Sequence, residues 1–139
     1  MDEAALEKTA KDAVINGLTA SADFPAGAGE IARQLSSQAI LGGGAPLNVR
    51  AICKGVIGAA LLLEKDLPLT ALSILNQMSA VAHETHQDPA ELMTAAMEGI
   101  APVAKMAGEA ACSSVKDSIE AAFMGAGEIF TRACETAGA

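Results

Sequence analysis

The sequence predicts an all-α fold, and three observations lead there. Pro25, Pro46, Pro68 and Pro89 recur at intervals of 21, 22 and 21 residues, each ahead of an Ala- and Leu-rich stretch. Proline suits the first helical turn, where an N–H is spare and φ is already fixed. The chain also echoes itself. Ile31-Ala-Arg-Gln34-Leu35-Ser36 lies 43 residues before Ile74-Leu-Asn-Gln77-Met78-Ser79, with Ile, Gln and Ser identical. Finally, 51% of the residues are hydrophobic, yet only Phe24, Phe123 and Phe130 are aromatic. A core of such small side chains needs close helix approach over long contacts. Every long segment is thereby assigned to helix, and no strand is expected.

The predicted architecture is six helices in three antiparallel hairpins, as a bundle or a short solenoid-like stack, within one domain spanning 1–139. The 43-residue hairpin period falls in the size range of HEAT and armadillo repeats, but neither signature is present.

The first helix covers about 2–22. Glu7 with Lys11 and Lys8 with Asp12 pair at i,i+4, while Leu6, Ala10, Ala13 and Gly17 form an apolar stripe. Ser21, Asp23 and Pro25 interrupt it. The second helix, about 25–41, ends in Gly42-Gly43-Gly44, where glycine relieves a left-handed cap. The third, about 46–65, carries the most apolar surface and stops near Asp66-Leu67-Pro68. The fourth runs to about His86. Asp88-Pro89-Ala90-Glu91 then combines a capping side chain, a first-turn proline and an acid at the third helical position, which fixes the start of the fifth. Pro102 should kink or split that helix near Ala101. Ser113 or Ser114, with Asp117, opens a sixth helix running to about 136. Its seam of Val115, Ile119, Ala122, Ala126, Ile129 and Ala133 is spaced 4, 3, 4, 3, 4.

Glycines recur in the middle of these helices, although each costs roughly 0.5–1 kcal/mol relative to alanine. The stripes Ala13-Gly17-Ser21, Ala51-Gly55-Ala59 and Ala95-Gly99 suggest that a backbone approaches closely there. Gly27-Ala-Gly29-Glu30-Ile31 is echoed by Gly125-Ala-Gly127-Glu128-Ile129, at a helix start in the first copy and in mid-helix in the second. Gly55, Ala59, Gly99, Gly125 and Gly127 are therefore the candidate interface positions, within the chain or toward a second copy.

Cys53, Cys112 and Cys134 read as buried reduced thiols. On one continuous helix Cys112 and Cys134 would lie about 33 Å apart and could not bridge.

A net charge of −8, without a basic patch or interleaved aromatics, disfavours nucleic acid and anionic membrane surfaces. The N-terminal residues lack a basic then apolar secretory pattern, and the apolar run Gly55 to Leu63 is too short to span a bilayer. A cytoplasmic setting is the expectation.

Motifs that carry chemistry are sparse. His83 and His86, three apart on a helix, could hold a transition metal, although a last helical turn favours positive charge for its own reasons. Gly42-Gly43-Gly44-Ala45-Pro46 precedes a helix carrying Arg50 and Lys54, but a helix comes before it and GK[ST] is missing, so a flexible linker is the better reading. Met78, Met93, Met97 and Met106 could line an adaptable pocket and equally could fill a core. No catalytic residue and no cofactor is assigned. The functional expectation is a non-enzymatic structural or protein-interaction module, a homo-oligomer or the partner of another helical protein, associating through small-residue helix faces. The alternative is a small-ligand or metal carrier using the methionine-rich interior or His83 and His86.

Overall fold

The computed structural model describes residues 2–137. Seven helices and no strand are found among them: α1 (Glu3–Leu18), α2 (Phe24–Leu41), α3 (Pro46–Leu62), α4 (Leu67–Thr85), α5 (Pro89–Ala107), α6 (Glu109–Ala122) and α7 (Ala126–Ala137). None is long and apolar enough to cross a membrane.

Aspartate caps open most of the early helices. The carboxylates of Asp2, Asp23, Asp66 and Asp88 accept the N–H groups of Ala5, Ala26, Leu69 and Ala90 at 2.9–3.3 Å. The four regularly spaced prolines sit in the first turns of α2 to α5, as their spacing predicts. At the end of α2, Gly43 adopts φ +99° while Gly44 donates its N–H back to Ala39, so the triple glycine is a helix C-cap.

The helices do not form three self-contained hairpins. The most extensive packing joins helices two apart in sequence: α1 on α3, α3 on α5, and α2 on α4. Helices α1, α3 and α5 thus make one layer, continued by α7 on α5, and α2, α4 and α6 make a second. The 43-residue period is the step from a helix to its neighbour in the same layer. Ion pairs follow the same geometry. Glu3 meets Arg50 at 2.8 Å and Glu7 meets Lys54 at 3.7 Å across α1 and α3, while Arg33 meets Glu84 at 2.8 Å across α2 and α4. Glu7 therefore reaches across helices to Lys54, whereas Lys8 and Asp12 pair along α1 as their spacing implies.

Small residues allow this layering. A Cβ on Gly55 would come within 3.0 Å of the Ala10 methyl and nearer still to the Glu7 carbonyl oxygen. One on Gly99 would collide with the Arg50 carbonyl, and one on Gly29 with the Ser73 hydroxyl. Gly17, by contrast, lies in the last turn of α1 with open space around it, out of register with the other two. The central helices α3 and α5 bury nine residues each.

Two breaks differ from the expected ones. The helix after α5 begins at Glu109, because Gly108 at φ +113° ends α5 before Ser113 is reached. Helix α5 itself passes unbroken through Pro102. The anticipated sixth helix is divided at 123–125, where Phe123 leaves helical geometry and Gly125 takes φ +92°. Glu120 holds the turn by accepting the N–H groups of Gly125 at 2.9 Å and Gly127 at 3.0 Å. The apolar seam is divided with it: Val115, Ile119, Ala126 and Ala133 are buried, while Ala122 and Ile129 are exposed.

Candidate functional site

A groove of about 400 Å³ runs over the first layer. Its walls come from α1 (Glu3, Glu7), α3 (Arg50, Lys54), α5 (Glu98, Pro102) and the last turns of α7 (Ala133, Thr136, Ala137). The period of the stack places these charges. Residues too near a neighbouring helix for a side chain are Gly55 and Gly99, and the charged residues flanking them project along the rim. Arg50 and Lys54 are each half-buried and already engaged by an α1 glutamate. The groove thus carries two ion pairs, Glu3 with Arg50 and Glu7 with Lys54, beside the Glu98 carboxylate, which suits it to polar contact.

The predicted site residues fall in three places. Gly55, Ala59 and Gly99 are buried, and the close approach at both glycines is to the chain's own helices. Gly125 is exposed in the α6–α7 turn, and Gly127 makes room for the Glu120 carboxylate. His83 and His86 are both exposed, but His86 is the left-handed cap of α4 at φ 57°. The helical i,i+3 alignment that would present two imidazoles together ends at that residue. No group of three or more His, Cys, Asp or Glu side chains among the described residues could hold a metal ion.

The methionines are divided as well. Met78 and Met97 are enclosed in the core, Met93 is partly buried, and Met106 is 73% exposed. Five of the surface grooves are lined by other residues.

Sequence reasoning missed one constellation. Because α6 and α7 fold back on each other, Cys112 Sγ and Cys134 Sγ lie 3.2 Å apart, in place of the long separation a continuous helix would give. Lys105 of α5 donates to the Cys134 carbonyl at 2.9 Å, fixing α7 beside the end of α5. Burial, and then the hydrogen bond with Cys112, push the Cys134 thiol up to about 12. Cys53 is a different case, enclosed in α3 with burial alone pushing its thiol up to about 12. The available signal was the glycine echo: Gly125-Ala-Gly127-Glu128-Ile129 opens α7 much as Gly27-Ala-Gly29-Glu30-Ile31 lies in the early turns of α2.

No family model, curated protein or solved structure matches the chain.

Proposed function

We propose that the chain is a non-enzymatic protein-interaction module that self-associates through the apolar ends of its stacked helices. The glycine faces at Gly55 and Gly99 are occupied within the chain, which leaves the rim free for a partner. The observation that carries the reading is the placing of the exposed large apolar side chains. Leu41 and Leu47, 67% and 50% exposed, flank the turn between α2 and α3. Leu62 and Leu69, 61% and 54% exposed, flank the next turn, between α3 and α4. The two turns lie at opposite ends of α3, so each leucine pair is a separate apolar patch that a second copy can cover, each side chain having roughly half of the 1.5–3 kcal/mol of full burial left to gain.

Light scattering across concentration tests the proposal, with refractive-index detection because the chain lacks Trp and Tyr. Wild-type protein should exceed the monomer mass at high micromolar concentration. Leu41→Glu with Leu47→Glu, or Leu62→Glu with Leu69→Glu, according to which end the second copy covers, should return it to monomer with helicity retained. A wild type that stays monomeric throughout defeats the reading.

A second reading, carriage of a small polar ligand, is favoured by the groove over the first layer with Arg50 and Lys54 in it. Native mass spectrometry of gently purified protein decides it: extra mass that disappears in Arg50→Ala supports carriage, and a bare chain mass opposes it.

A further inference from the structure

The hairpin of α6 and α7 carries a chemical feature independent of any interaction role. Cys112 lies in the opening turns of α6 and Cys134 toward the end of α7, 22 residues away in the chain. Antiparallel packing brings their sulfurs to 3.2 Å, against roughly 2.05 Å for a bonded pair. Both thiols are partly exposed. They sit between two adjoining grooves of about 240 and 310 Å³, each lined by Glu109, Cys112, Thr131 and Cys134. The first also carries Lys105 and the second Lys116. The sulfurs are within bonding reach of each other after a small movement, and both grooves admit a small reagent to them. The third cysteine, Cys53, is shut in the core and takes no part.

We propose that Cys112 and Cys134 are a redox dithiol: a modification site that reduces a low-molecular-weight disulfide and closes to an intrachain disulfide tying α6 to α7. In the first step the Cys112 sulfur, as thiolate, attacks one sulfur of the reagent RS–SR. The reagent's S–S bond breaks, a mixed disulfide forms on Cys112, and the departing RS⁻ takes up the proton that Cys112 released. In the second step Cys134 Sγ attacks Cys112 Sγ and expels the second RS⁻, which receives the Cys134 proton. Two protein thiols are oxidised by two electrons and one reagent disulfide becomes two thiols. Both sulfurs line the two grooves, so either can open the sequence; Cys112 is written first because partial burial and the hydrogen bond with Cys112 hold the proton on Cys134.

The test uses the full chain and oxidised glutathione under native conditions. Wild-type protein should lose the mass of two hydrogen atoms, and peptide mapping without reductant should join the Cys112 and Cys134 peptides. Closure should be at least about tenfold faster than in the same chain unfolded in urea, where the two sulfurs must find each other by diffusion. Cys134→Ser should hold one glutathione on Cys112. The Cys112→Ser/Cys134→Ser variant should take up none, which also reports that Cys53 remains enclosed. A native protein that keeps both thiols while the unfolded chain oxidises would overturn the proposal. So would a bond to Cys53 or between chains.

Discussion

Two glycines inside the stack from α1 to α5 and two at the bounds of the hairpin of α6 and α7 serve opposite purposes. In the stack, Gly55 and Gly99 remain inside helices, and what matters is the side chain they lack: the next backbone occupies that space. In the hairpin region, Gly108 and Gly125 end or divide helices, and what matters is a positive φ, at +113° and +92°, with open space around both. Proline and aspartate start the helices α2, α4 and α5, whereas α6 follows a glycine turn and α7 a turn that Glu120 holds. One residue type thus serves close packing at Gly55 and Gly99 and chain reversal at Gly108 and Gly125, as it also does at Gly43 after α2. The stack becomes regular and enclosed. The hairpin stays short and half-exposed, with its two thiols brought together.

The largest expected effect breaks the packing half of this comparison. Gly55→Ala should destabilise the fold by about 3 kcal/mol, the upper part of the usual overpacking range, because the obstacle is the Glu7 carbonyl rather than a movable side-chain end. Gly58, three residues along the same helix, has nothing within 4 Å of an added Cβ. Gly58→Ala should therefore stabilise by roughly 0.5–1 kcal/mol. Urea unfolding followed by circular dichroism measures both. Equal effects at the two positions would mean that Gly55 is not a packing glycine.

An intermediate effect reads the enclosed thiol of the stack by pH. In the unfolded chain the Cys53 thiol ionises near its ordinary value of 9.0, while the folded core holds its proton to about 12. Above pH 9 the unfolded state binds fewer protons than the native one, so stability present below that pH is lost as pH rises toward 12. The Cys53 share of the slope should approach about 1.4 kcal/mol per pH unit at most, one thiol's worth, beside a smaller share from the partly exposed Cys134, whose thiol is also pushed up. Cys53→Ala should remove the Cys53 share of that slope and leave the smaller Cys134 share. Unfolding midpoints for wild type and variant, compared from neutral to alkaline pH, check it, and parallel curves would sink the assignment.

Much of the stack was legible because its signals are local. A first-turn proline and a capping aspartate act on their own helix, so Pro89 with Asp88 locates a boundary wherever the rest of the chain lies. The layer arrangement was half legible: a 43-residue period gives the step between like helices, but says nothing of whether a helix packs more on its successor or on the one after. That choice rests on Gly55, Gly99 and Gly29 meeting Glu7, Arg50 and Ser73, contacts distant in sequence. The thiol pair was hidden for a related reason. Val115 to Ala133 keep helical spacing right across 123–125, so apolar periodicity continues through a point where the backbone reverses. His83 and His86 mislead in the same way, since their spacing is helical and the chain leaves the helix at the second of them.

The smallest expected effect sharpens the difference between the two glycine roles. Gly125→Ala should cost about 1 kcal/mol, arising from a backbone conformation that an L side chain rarely adopts. No atom lies within 4 Å of the added Cβ, so a larger residue meets no new obstacle. Gly125→Leu should then cost about as much as Gly125→Ala. At Gly55 the same enlargement should add to the penalty, because the methyl already collides and the rest of the side chain must displace α1 from α3. The loss at Gly125 should also stay local. Hydrogen exchange should rise in α7, whose amides near the turn depend on Glu120, and remain slow in α3 and α5. A steep dependence on side-chain size at Gly125 would show that the turn is packed against something, and would erase the contrast between a glycine kept for space and one kept for its φ.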